Sequence, residues 1–144
     1  MQLNLDRART MVDGALAEAG TRNAKPLAII ILDAGGHPIA FARQDKASLF
    51  RFDIARAKAM GALGMGADSR EIAARAAGNP AFFTSVAIAT GGHLALSAGG
   101  VLVRDDQGEI IGAIGISGDT PDLDEACAFA GIAAAGLNPP GATS

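Results

Sequence analysis

The chain contains no tryptophan, no tyrosine and one cysteine among 144 residues, and each scarcity removes a class of function. Aromatic residues make up only 4%, too few for the stacking platform that single-stranded nucleic acid needs. A net charge of −3 argues the same way, so nucleic acid is not expected as the main partner. The lone Cys127 allows no intrachain disulfide and no cysteine-based zinc site, and its place within a predicted helix makes it a buried, inert thiol. His37 and His93 are the only histidines, too few for a three-histidine zinc site. No apolar run reaches about 18 residues, so no membrane association is expected. The N-terminus has neither the basic head nor the apolar core of a secretory signal, which makes the cytoplasm the expected location. Walker A, H-E-x-x-H, C-x-x-C and G-x-S-x-G motifs are all missing. The glycine-rich Gly61-Ala62-Leu63-Gly64-Met65-Gly66 falls at a helix end rather than between strand and helix, and is not read as a nucleotide loop.

What is present is a set of short, well-punctuated elements. Apolar residues make up 49%, many of them alanine, which predicts closely packed helices and surface buried between subunits. The length suits one domain over residues 1–144, with a loose tail from about 138 to 144. The clearest stretch runs from Gly99 to Glu125. Val101-Leu102-Val103 is a buried strand, Asp105-Asp106-Gln107-Gly108 a turn, and the run from Ile110 to Ser117 a second strand paired with the first as a hairpin. Alternation places Ile110, Gly112, Ile114 and Ile116 on one face. The other face, Ile111, Ala113, Gly115 and Ser117, shrinks along the strand and so admits another body, most simply a helix. Thr120 then caps a last helix with Pro121 in its first position. These strands are expected to be central, with the last helix docked on them.

Upstream, Asn4 caps a helix whose stripe runs Leu5, Ala8, Met11, Val12, Ala15, Leu16 and Ala19, closed by Gly20. Pro26 to Leu32 is a buried strand, Asp33 to Gly36 a turn, and His37 to Arg43 a returning strand with Ile39 and Phe41 on one face. Ser48 is the predicted cap of a long helix from Leu49 to about Leu63, and Asp68 with Glu71 reads as a capping box for a short one ending near Ala77. Phe82-Phe83 fits a helical turn or a strand start, and Leu94-Ala95-Leu96 another short strand. The order predicts an α+β, sandwich-like domain with a mainly antiparallel sheet and helices kept to one face.

Several residues have candidate roles beside plainer ones. His37 and His93 each follow Gly-Gly at a turn, where a histidine can be a haem axial ligand, a general base or a solvated residue opening a strand. Asp33 suits a general base or a β-turn opening, and Asp119 a cap or turn. Between Arg43 and Lys58 lie five basic residues, Arg43, Lys46, Arg51, Arg56 and Lys58, against two acids, whereas Asp105 to Glu125 holds seven acids and no base. The basic stretch can hold carboxylates such as haem propionates or a small organic acid, or the two faces can complement each other between subunits. Phe82 and Phe83 can line a pocket or pack in the core.

The motifs Leu32-Asp33-Ala34-Gly35-Gly36-His37, Ser48 to Ala55 leading into Lys58, Gly99-Gly100-Val101, Gly112 to Gly118, and Asp124-Glu125 occur in this order. Together, over about residues 3 to 137, they resemble the GlcG/HbpS-like haem-binding ("haem-degrading") domain family. Leu102-Val103 departs from the Pro-Ile that often follows Gly-Gly-Val in that family. The resemblance implies a profilin- or PAS-like fold and homo-oligomers, often dimers assembled into rings. Some members bind haem or related tetrapyrroles, and some accompany glycolate or diol catabolism. The first expectation is therefore a homo-oligomer that binds haem or another small anionic, planar ligand. Its site would comprise His37, Arg43, Arg51, Lys58, Phe82 and Phe83, with His37 on the iron if haem binds. Alternatives are an enzyme acting on a small organic acid through Asp33, His37 or Arg43, and an assembly protein without ligand.

Overall fold

The computed structural model describes residues 1–138, so most of the expected tail lies outside the described residues. These form helices α1 (Leu5–Thr21), α2 (Arg51–Met65), α3 (Ser69–Gly78), α4 (Pro80–Ala89) and α5 (Pro121–Ala134). The strands are β1 (Ala28–Asp33), β2 (Pro38–Arg43), β3 (Gly100–Arg104) and β4 (Ile110–Ser117). They make one antiparallel sheet in the order β2-β1-β4-β3. The α+β class and antiparallel sheet are as expected, but helices cover both faces.

One face carries α1 and α5. Ile29, Ile31, Val101, Val103, Ile114 and Ile116 pack there against Met11, Ala15, Cys127, Ala128 and Ile132. Burial pushes the Cys127 thiol up to about 11, which leaves it protonated and unreactive. On the other face Ala28, Ile30, Leu32, Leu102 and Ala113 pack against Ala55, Ala59 and Ala62 of α2. β1 is buried on both sides, which is why its sequence is a continuous apolar run without alternation.

The shrinking face of β4 receives α2 and not the last helix. A Cβ at Gly115 would lie 2.0 Å from the Ala55 carbonyl oxygen, and one at Gly100 would lie 2.3 Å from that of Lys58. No side chain fits between this helix and the sheet at those points. β4 is central as expected, but its central partner is β1, and β3 is an edge. That edge is closed by side chains. Ser69 Oγ accepts from Gly100 N, Asp68 Oδ1 from Leu102 N, and Asn138 Oδ1 from Arg104 N. Each takes a donor that would otherwise be open to another strand. Asp68 therefore does not cap α3 through its side chain, and Glu71 pairs with Arg75 instead of reaching back as a capping box.

Other expectations shift for local reasons. Asn4 and Thr120 do cap α1 and α5, accepting from Arg7 N and Leu123 N. Ser48 does not cap α2; its hydroxyl accepts from Arg51 Nε, and Phe50 stands at the cap position. Pro80 opens α4, which contains Phe82 and Phe83, while residues 94–96 form no strand because Leu94 packs against Gly61 of α2. Two bulges break the expected alternation. Ile31 pairs with Ala40 and Leu32 with Pro38, so Ile39 is an extra residue that turns toward α1 while Phe41 stays on the α2 side. Likewise Val103 pairs with Gly112 and Arg104 with Ile110, and the extra Ile111 joins the core opposite the one Ile110 meets.

Lys58 ties the layers together. Its side chain on α2 is 3% exposed, and Nζ donates to Ile116 O on β4 at 2.9 Å and to Asp124 Oδ2 on α5 at 3.1 Å. Asp124 Oδ1 accepts from Asp119 N, so both carboxylate oxygens are used. Burial lowers the Lys58 ammonium below its ordinary value, and the attraction of Asp124 opposes that. Room for the ammonium comes from Gly99, where a Cβ would sit 2.8 Å from Nζ. Removing one member of a buried pair strands the other charge, at a cost of about 3–5 kcal/mol. Lys58→Met is accordingly expected to lose that much in urea denaturation, and Lys58→Met/Asp124→Leu to regain most of it. A single variant as stable as wild type would contradict the clamp.

Candidate functional site

The turn between β1 and β2 is organised by one carboxylate oxygen. Asp33 Oδ1 accepts from Gly35 N and His37 N, both at 2.9 Å, and meets His37 Nδ1 at 3.2 Å. This is the aspartate-centred turn that Asp-x-Gly sequences favour, and Gly36 takes the left-handed φ of +82° that completes it. The backbone N–H of His37, with that of Gly35, holds the Asp33 carboxyl below its usual range, so it is ionised at neutral pH. An ionised acceptor at Nδ1 makes that nitrogen the N–H of the neutral ring. Nε2 is left with its lone pair, on a side chain 80% exposed. A carboxylate behind a histidine in this way is the usual support of a metal-bound imidazole.

Beside this turn lies an apolar strip. α2 packs over β1, β4 and β3 and leaves the α2-side face of β2 uncovered. Phe41 of β2, 43% exposed, meets Phe52 of α2 edge to face at 5.0 Å. Met60 lies eight residues along α2, with its sulfur 2.9 Å from where a Gly36 Cβ would be. Helical spacing puts Arg56 between them on the same side of α2. Leu49 and Phe50, at the α2 start, add further exposed apolar surface. The side chains of Arg56 and Arg43 are exposed and make no ion pair among the described residues.

The expected site residues divide. His37 flanks the strip, and Arg43 stands at its far end, about 20 Å from His37 by strand rise. Arg51 is occupied, donating to Ser48 Oγ and to Ser117 Oγ. Lys58 is corrected as a ligand group, because it is buried in the ion pair with Asp124. Phe82 and Phe83 belong to α4, which packs on α3 beside β3, at the opposite edge of the sheet from β2. Phe83 is buried with Ile72 and Leu94, and only Phe82 is half exposed. His93 also lies on that side, with its carbonyl against Gly61. Phe41, Phe52 and Met60 were missed as part of a site, although the i, i+4 spacing of Phe52, the already suspected Arg56 and Met60 on α2 was an available signal. No group of three or more His, Cys, Asp or Glu is placed to hold a metal ion among the described residues.

A family model described as "Haem degrading protein HbpS-like" matches residues 3–133. The chain belongs to the HbpS-like haem-degrading family. Among solved structures, a PduOC:haem complex superposes with a TM-score of 0.86 at 25% identity, covering 96% of this chain and 98% of that one. HbpS itself gives 0.79 at 27% identity over 92% and 89%. Protein ORFY of Klebsiella pneumoniae gives 0.85 at 23% over 94% and 92%, a likeness of fold. No curated protein matches the chain. Of the motifs that carry the family likeness, Lys58, Gly99-Gly100 and Asp124 form the interlayer clamp, and residues 32–37 form the turn at the end of the strip. In this HbpS-like chain the clamp holds the layers together, while the turn at residues 32–37 borders the exposed strip.

The Asp33–His37 contact has a spectroscopic consequence. Free histidine favours the tautomer protonated at Nε2, whereas an Asp33 acceptor selects Nδ1–H at His37. Imidazole ¹⁵N shifts above the histidine titration range should report Nδ1–H for His37 and revert in Asp33→Ala. Unchanged shifts in that variant would remove the pairing.

Proposed function

We propose that this protein binds haem, or a closely similar planar anionic tetrapyrrole, on the strip between β2 and α2. The observation that carries this reading is the Asp33-backed His37 in the turn whose Gly36 meets Met60, at the end of the strip that Phe41 and Phe52 continue. The donor set fits the group. His37 Nε2 offers an iron ligand with its carboxylate support, the aromatic and thioether side chains offer an apolar surface, and arginine meets propionates. Arg56 stands nearer than Arg43 and is the principal cation in this reading. Family membership and a PduOC relative seen with haem support it. When bound, haem supplies redox-active iron. The protein's part is to hold the ring, orient His37 through Asp33 and exclude water from one face.

The chain is also read as a homo-oligomer, as the family likeness implies. Leu49 at 81% and Ile88 at 78% exposed are apolar surfaces that assembly would cover. No helix among the described residues is long and apolar enough to cross a membrane.

Titration of the apoprotein with haem is expected to give a saturable Soret shift. His37→Ala should weaken binding by about tenfold or more and change the band, with His93→Ala unchanged. Arg56→Ala should weaken it several-fold, and more than Arg43→Ala. A flat titration, or a wild-type band in His37→Ala, would overturn the assignment.

A further inference from the structure

A second concavity lies at the other edge of the sheet, between α3, β3 and α5, and owes nothing to the haem reading. Its volume is about 420 Å³, within the range of roughly 300–1,000 Å³ usual for small-molecule sites. Val101 and Leu102 of β3, with Ala67 and Ala74, supply apolar lining, and the half-exposed Phe129 of α5 stands at the rim. One wall is fixed by Arg70, which joins α3 to α5 through Glu125 at 2.8 Å and through Asp122.

Opposite charges face this space without meeting. Asp68 Oδ1 accepts from Leu102 N, and its second oxygen has no hydrogen-bond partner among the described residues. Arg104 gives Nη1 to Gly108 O, and its Nε and Nη2 have none there either. The two form no ion pair, so their separation exceeds 4.0 Å, the reach of a direct contact. Burial raises the Asp68 carboxyl, Glu125 adds to that, and the Leu102 N–H and Arg104 oppose it. Asp68 thus gains from a cation brought to it, while Arg104 has donors for an anion.

We propose that this cleft is a ligand site for a small zwitterion, a free α-amino acid with an apolar side chain. Its ammonium sits on Asp68, its carboxylate on Arg104, and its side chain against Ala74 and Phe129. A molecule carrying both charges a short distance apart satisfies both groups at once. A simple amine or a simple acid leaves one of them unserved.

The test is calorimetric titration of the full chain with L-leucine, L-leucinamide and 4-methylpentanoate, which carry both charges, the ammonium alone and the carboxylate alone. Saturable leucine binding is expected, with each one-charge analogue weaker by about tenfold or more. Asp68→Asn and Arg104→Gln should each weaken leucine binding by about tenfold, with circular dichroism unchanged. Asp68→Asn keeps an oxygen for Leu102 N, so it preserves the β3 edge. The analogue comparison on wild type needs no variant to fold. Absence of saturable binding, equal binding of a one-charge analogue, or folded variants that bind leucine as wild type does would each overturn the proposal.

Discussion

The structure depends on a lysine buried where lysines are rarely buried. Lys58 reaches from α2, on one face of the sheet, past β4 to Asp124 on α5, which packs on the other. Apolar packing holds each helical layer to the sheet without direction. The ion pair adds a fixed point, since a buried ammonium tolerates only a site with acceptors in place. The glycines around it follow from that demand. Gly99 leaves room for the ammonium, and Gly100 and Gly115 let the α2 backbone come close enough for Lys58 to reach. With α2 seated over β1, β4 and β3, β2 is left uncovered on the same side, and the apolar strip is the consequence.

The two bulges lie at the end of the sheet that carries His37. Ile39 and Ile111 each drop out of the alternating pattern next to the Asp33 turn. The first frees Phe41 to face Phe52 while Ile39 serves the core on the other side. A strict alternation would have put both on one face and lost either core or strip. The opposite edge is treated differently. Asp68, Ser69 and Asn138 pair with β3, which closes it to another strand and leaves the α3–α5 cleft as its accessible feature.

Much of the fold was legible because it rests on local chemistry. Both hairpin turns carry their aspartates and glycines, Asn4 and Thr120 cap as their side chains allow, and β1 is too apolar and too short for anything but a buried strand. What was not legible depended on partners distant in sequence. Asp68 looks like a cap until Leu102, thirty-four residues away, takes its oxygen. Lys58 looks like one of several available cations until Asp124 is found sixty-six residues on. The same holds for the site. His37 with Asp33 is a four-residue affair and could be suspected from the chain, whereas Phe41 with Phe52 needs the bulge and the docking of α2. Phe82 and Phe83 were placed with His37 in one expected site as pocket-lining aromatics, and the topology separates them by the width of the sheet.

The central claim is that the Lys58–Asp124 clamp builds the scaffold and the uncovered β2–α2 strip, with His37 at its end, does the binding. Amide shift mapping with a diamagnetic metalloporphyrin, gallium protoporphyrin, on ¹⁵N-labelled protein tests it most directly. The account predicts perturbations centred on His37, Phe41, Phe52, Arg56 and Met60, with Lys58, Asp124 and the α3–α5 cleft quiet. Shifts centred on that cleft or on α4, with the strip silent, would contradict it.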